Sequence, residues 1–208
     1  MKSKHQLIPF ELTWDDDSPL PKEQQTLIAE AQILLQQFWD RWHQKPIEQY
    51  VACDFEYVAR ALLTLQERGL IDGSTFCEWG CGFGIVTGLA ALIGWEAIGI
   101  EAEPFLVSEA RNLLQRLRIP CEIWEGNFLP RGAERLADRQ SNHASMFHRI
   151  PPAYESKDFD IDDFSIIFAY PWPGEEYFLE SVFREYARPN AVLVIFRGPY
   201  HIEFYRKP

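Results

Sequence analysis

Basic residues are scarce in this chain of 208 residues: Lys and Arg number 20 against 31 Asp and Glu, a formal net charge of −11. A surface of that sign repels phosphate backbones, so no nucleic acid is expected as a partner without a local basic patch. Arg131, Arg135 and Arg139 come nearest to one, and acids flank them. Anionic membrane surfaces are disfavoured on the same ground, whereas neutral and cationic acceptors are not. Long apolar runs are missing as well. Nothing approaches the roughly 20 residues that a membrane span requires, and Met1 to His5 hold no apolar signal core, so a cytoplasmic protein is expected. Only four cysteines occur. Cys77 and Cys81 stand as C-x3-C, while Cys53 and Cys121 stand alone, which matches neither a disulfide framework nor a zinc site. They are expected to be reduced and to serve as small core residues. His143 and His148 lie five apart, poor spacing for one helix face, and no carboxylate pair completes a metal site, so no metal is expected. No Ser or Cys sits in a G-x-S-x-G elbow, which leaves covalent hydrolysis without support.

What is present is a core and a glycine turn. Hydrophobic residues make up 47% and aromatics 14%, enough for one sizeable domain. The chain is organised around Phe76-Cys77-Glu78-Trp79-Gly80-Cys81-Gly82-Phe83-Gly84. A short apolar run from Thr75 leads into the acid Glu78, a glycine turn follows, and Ile85 to Trp95 reads as a helix. Strand, tight loop and helix form the first unit of a nucleotide-binding α/β sheet. Gly80, Gly82 and Gly84 let a ligand approach the backbone, and the helix start offers free N–H groups. The dinucleotide fingerprint is not met, because the sixth position from Gly80 is Ile85. The spacing is E-x-G-x-G-x-G, and an acid two before the first glycine suits an ammonium better than a pyrophosphate.

Upstream, Pro9, Pro19, Pro21 and the run Asp15 to Asp17 read as an irregular leader. From Lys22 a helix is predicted, with Leu27, Ile28, Ala31, Leu34, Leu35, Phe38, Trp39 and Trp42 at helical spacing and Pro46 ending its tail. The stripe is expected to pack on the main domain. These segments give an N-terminal leader and helix over 1–49 and an α/β domain over 50–208. A second helix runs through Val58, Ala61, Leu62 and Leu65, with Asp54 as its N-cap and Gly69 as its stop. After the glycine turn, strands are expected at Ala97–Ile100, Cys121–Trp124, Phe164–Ala169 and Ala191–Phe196, with helices at Pro104–Leu117 and Glu175–Tyr186. That rhythm implies an α/β/α Rossmann-like sandwich on a mostly parallel sheet, its ligand at the strands' C-terminal edge. Only Ile202 to Tyr205 remains for one more short strand, which predicts a sheet truncated at its C-terminal side. Residues 130–162 form a long polar insertion, expected as a mobile cover over the acceptor side.

Glu101 ends the second strand, 21 positions beyond Gly80, where a carboxylate can accept two hydrogen bonds from a ribose diol. Together, Glu78, the glycine spacing and the segment Ala97 to Val107 resemble motifs I and II of the class I S-adenosylmethionine-dependent methyltransferases. The resemblance implies S-adenosyl-L-methionine as cofactor, with Glu78 around the methionine amine and Gly80, Gly82 and Gly84 against the cofactor. It places Glu101 on the ribose and Ala102 beside the adenine. Many members carry an aspartate where Asn127 stands, next to an apolar neighbour, here Phe128, so these two are expected on the adenine edge and face. Tyr170-Pro171-Trp172-Pro173 is similar in part to the N-P-P-aromatic motif of amino-group methyltransferases: Tyr170 replaces the Asn or Asp, and aromatic and second proline are exchanged. Tyr170 and Trp172 are therefore expected to line the acceptor side.

The layout of residues 50–117, about a third of the chain, also resembles small lysine methyltransferases of the ATP-synthase c-subunit type. Glu175 and Glu176 follow at a helix start, where acids suit the helix dipole. Two aromatics backed by acids would attract a cation. The expected partner is thus an amine, on a small molecule or a protein lysine, reached by methyl transfer. The alternative is a non-catalytic S-adenosylmethionine-binding protein that serves as an interaction platform. A nicotinamide oxidoreductase is disfavoured by Glu78 and by the glycine spacing.

Overall fold

A computed structural model describes residues 6–41, 50–136 and 150–208. Trp42, Pro46, His143 and His148 lie outside the described residues. The elements run β1 (Ile8–Phe10), α1 (Lys22–Asp40), α2 (Phe55–Glu67), β2 (Thr75–Trp79), α3 (Ile85–Leu92), β3 (Glu96–Glu101), α4 (Pro104–Arg116), β4 (Cys121–Glu125), β5 (Ile166–Ala169), α5 (Glu176–Tyr186), β6 (Val192–Gly198) and β7 (His201–Arg206). They build one sheet of seven strands in the order β1-β7-β6-β5-β2-β3-β4. The five central strands, β2 to β6, pair in parallel, and β7 runs antiparallel to both β6 and β1.

The seventh strand corrects the expectation of a truncated sheet. It comes from the supposed leader, where Ile8, Pro9 and Phe10 pair with Arg206, Tyr205 and Phe204. A proline cannot donate to a ladder and is tolerated at a sheet edge, which is where Pro9 lies. Phe10 packs on Phe204 with ring centroids 5.6 Å apart.

Successive residues of each strand go to opposite faces, so the sheet separates two cores. Phe76, Ala97, Phe168 and Val194 face a core closed by α1 to α4, whereas Cys77, Ile98, Ala169 and Ile195 face one closed by α5 and the insertion. α2 begins as expected, the Asp54 side chain accepting from the Tyr57 amide at 3.0 Å. The four cysteines are free thiols. Among the described residues no helix is long and apolar enough to cross a membrane, and no cluster of His, Cys, Asp or Glu could hold a metal.

The described flanks of the insertion depart from expectation, while residues 137–149 lie outside the described residues. The flanks belong to the core and do not form a cover. Ala133, Ala153, Tyr154 and Ile161 are buried in the α5-side cluster, on 3-10 turns at Ala133–Leu136, Ala153–Ser156 and Ile161–Asp163. The Trp79 indole donates to the Tyr154 hydroxyl at 2.9 Å. Asn127 anchors the returning chain: its amide donates to the Pro151 carbonyl and its carbonyl accepts from the Ala153 amide, each at 2.9 Å. Together they make one isolated parallel bridge between Asn127 and Pro152, just beyond the end of β4.

Candidate functional site

A cleft of about 700 Å³ runs along the C-terminal edge of the central strands, in the size range of small-molecule sites. Following the sheet order, β6 brings Arg197, β5 brings Tyr170, β2 brings Glu78 and the glycine turn, and β3 brings Glu101. The segment 50–53 forms a further wall.

Glu78 sits at the base, 6% exposed. Its Oε2 accepts from the Thr87 amide at 2.7 Å and the Thr87 hydroxyl at 2.5 Å, so the first turn of α3 holds one oxygen. Neither bond falls on Oε1, which stays available to a ligand in the cleft. Burial pushes the carboxyl up to about 8; the Thr87 bonds oppose that rise and nearby Glu101 adds to it. A cation in the cleft would reverse the rise, because an opposite charge favours the ionised form.

The glycine turn is shaped by two different needs. Gly80 has φ +71°, and a Cβ added there would meet open space, so a ligand can reach this backbone. Gly82 has φ +54°, and a Cβ there would lie 2.6 Å from the Tyr50 ring. Tyr50 therefore covers Gly82, held by Phe83 and Phe38 at centroid distances of 4.9 and 5.7 Å. Phe38 comes from α1, so the aromatic stripe of that helix braces the wall of the cleft. Gly84 caps α3 in the left-handed region and does not line the cleft.

Glu101 lines the cleft, but its carboxylate is largely engaged. Oε2 accepts from the Gly82 amide at 2.7 Å, and Oε1 from the amides of Ala102 and Glu103 at 2.8 and 2.9 Å. Three of the roughly four acceptor sites on the carboxylate are taken in this way, too many for the expected pair of diol bonds. Glu101 thus also ties the glycine turn to the β3 exit. Ala102 and Phe128 line the cleft, Phe128 stacked on Trp79 with centroids 5.4 Å apart. Asn127 does not line it. Its Oδ1 accepts from the Leu129 amide at 2.9 Å, a turn role that leaves the adenine edge without this residue.

Tyr170 and Trp172 both line the cleft at the exit of β5. Tyr170 packs edge-on against Phe196, centroids 4.8 Å apart, while Trp172 is 39% exposed at the rim. Sequence reasoning missed Tyr50, Cys53 and Arg197 as cleft residues. They come from an irregular segment and a strand end, where no periodic pattern marks the inward side.

No family model matches the chain, and no curated protein matches it. Among solved structures it is similar to an O-methyltransferase from Bacillus cereus in complex with SAH, at a TM-score of 0.50 and 14% identity over 85% of this chain and 66% of that one. It is also similar to an RNA methyltransferase from Salinibacter ruber in complex with S-adenosyl-L-homocysteine, at a TM-score of 0.47 and 18% identity over 72% and 88%. Identities this low speak for the fold. Together with the strand order, the first likeness gives the chain a Rossmann-like fold of the methyltransferase type.

Proposed function

We propose that the protein is an S-adenosylmethionine-dependent methyltransferase that acts on an amine nitrogen, of a small molecule or of a protein lysine. The observation that carries this reading is Glu78, a buried carboxylate with one oxygen fixed by Thr87 and the other available beside Gly80. Such a group suits an ammonium and would repel a pyrophosphate. When bound, S-adenosylmethionine supplies a methyl group on a positive sulfur. Glu78 would hold its amine, the loop that Glu101 ties together would lie beside the ribose, and Ala102 and Phe128 would meet the adenine. Tyr170 and Trp172 would present ring faces to a cationic acceptor. Transfer is then chiefly alignment of acceptor and donor, which a rigid strand exit with Pro171 and Pro173 favours. The charge of −11 supports an amine over an RNA acceptor, and the class I resemblance supports the cofactor.

The test is calorimetry with S-adenosylmethionine, S-adenosylhomocysteine and NAD, followed by transfer of labelled methyl to amine, hydroxyl and RNA acceptors. Binding of the first two and not NAD, with label on amines, is expected. NAD binding in their place would sink the reading, and label on RNA or hydroxyls alone would replace the acceptor. Tight cofactor binding with no transfer to any acceptor marks an interaction platform.

A further inference from the structure

We infer that the acceptor is a protein, whose lysine-rich segment docks on an aromatic rim around the β5 and β6 end of the cleft. The inference rests on the methyltransferase reading and narrows its acceptor. Large exposed apolar side chains are unevenly spread among the described residues. Ile8, Ile33 and Trp39 stand on β1 and α1, whereas Val51, Trp172, Tyr177 and Tyr200 stand at the C-terminal edge of the sheet. Val51 and Trp172 line the cleft itself. Tyr177, in the first turn of α5, and Tyr200, at the tip of the β6–β7 hairpin, lie outside it and are 80% and 73% exposed. A small amine held in the cleft would leave both rings bare. An occupant that covers them extends beyond the cleft, and tyrosines exposed in this way are favoured anchors of protein contacts.

The rim is already shaped. The Tyr200 carbonyl accepts from the Tyr57 hydroxyl at 3.0 Å, and the two rings meet edge-on with centroids 5.7 Å apart. Tyr200 adopts φ +57°, a left-handed angle at which Asn or Gly would cost less than a bulky side chain. A ring held ready loses less freedom when a partner arrives. Arg197 joins the two tyrosine-bearing elements: its guanidinium reaches Glu176 and Glu180 on α5 at 2.9 and 3.6 Å, and Glu203 on β7 at 2.7 Å.

That network also sets the sign of the partner. Three carboxylates around one guanidinium leave the rim negative, and among the described residues no other Lys or Arg lines the cleft. His201, 3.6 Å from Glu203, adds positive charge only when protonated. Ring faces beside surplus carboxylates suit lysine, whose methylene stem lies along an aromatic surface while its ammonium seeks the charge. A phosphate backbone would be repelled by the same surplus.

The test uses the full chain saturated with S-adenosylhomocysteine. The probes are a blocked peptide of alternating lysine and leucine, its glutamate–leucine counterpart, N-acetyl-lysine amide and oligouridylate. Calorimetry should show the lysine peptide binding at least tenfold more tightly than N-acetyl-lysine amide, with no binding of the glutamate peptide. Tyr177→Ala combined with Tyr200→Asn should weaken the lysine peptide at least tenfold and leave S-adenosylhomocysteine affinity unchanged. Tyr177→Ala alone, on an exposed helix face, keeps the test if the double variant folds poorly. Equal affinity for peptide and N-acetyl-lysine amide, undiminished peptide binding by the variants, or tighter binding of oligouridylate overturns the inference. So does a wild-type dimer in sedimentation that the double variant loses, which would assign the rim to a second copy of this chain. Methyl transfer to N-acetyl-lysine amide without peptide binding overturns the inference alone, whereas failure to bind S-adenosylhomocysteine overturns the reading beneath it.

Discussion

Glu78 connects folding to ligand binding through a single proton. Buried beside the Thr87 bonds, its carboxyl is raised from 4.5 to about 8, so near neutral pH the ligand-free protein keeps a proton that the unfolded chain has released. The stability this group contributes is full below about pH 4.5 and is lost as the pH rises through about 8. Glu78→Gln, which cannot ionise, should therefore raise the Tm of the ligand-free protein at pH 9 and much less at pH 5, by the equivalent of a few kcal/mol at most. A cationic ligand should expel the proton. Calorimetry at pH 7 in buffers of different ionisation heat should detect proton release on binding S-adenosylmethionine, absent in Glu78→Gln. Equal heats in all buffers would contradict the assignment. The two glycines of the turn should separate in the same experiments. Gly80→Ala meets open space, so it should cost only the roughly 1–2 kcal/mol of a left-handed Ala while obstructing the ligand. Gly82→Ala strikes the Tyr50 ring and should cost about 1–3 kcal/mol more. Equal melting temperatures for the two variants would contradict this division.

At the scale of elements, the alternation of strands and helices was legible because the central strands are buried on both faces and read as short apolar runs between turns. The position of Glu78 was legible for a related reason: it interrupts such a run just before a glycine turn. β1 was not legible, since it is only three residues long and Pro9 at its centre argues against a strand. Nor was the double use of Glu101, because hydrogen bonds from Gly82, Ala102 and Glu103 depend on loop conformation that spacing does not encode. The described flanks of the insertion misled in the opposite direction: the segment's polarity suggested a cover, yet Ala153 and Tyr154 are core residues that carry no repeating pattern. Its attachment is specific enough to test. Asn127→Ala removes the side-chain acceptor of the Leu129 amide and should cost about 1–3 kcal/mol. Hydrogen exchange should quicken at Leu129 and Ala153 in that variant and stay slow in the wild type. Fast exchange at Ala153 in the free wild type would restore the picture of a cover.

At the scale of the molecule, acidity sets how partners arrive. With 31 acids against 20 bases, a cationic acceptor is drawn toward the surface from a distance set by the Debye length, about 8 Å at physiological ionic strength. Raising salt should therefore lower kcat/KM for a cationic amine, through slower association, more than it changes kcat. A rate that rises with salt would point to an anionic acceptor. The edge strand has a different consequence, in the order of events during synthesis. Ile8 to Phe10 emerge from the ribosome long before β7, the strand they pair with. Until then β1 has no ladder to join, and Phe10 has no Phe204 to cover it. The central parallel strands can assemble as they appear, whereas this seam waits for translation to reach Arg206. A nascent chain stalled short of that point would leave an apolar strand bare beside the growing sheet, open to whatever holdase or neighbouring chain arrives before its own partner does.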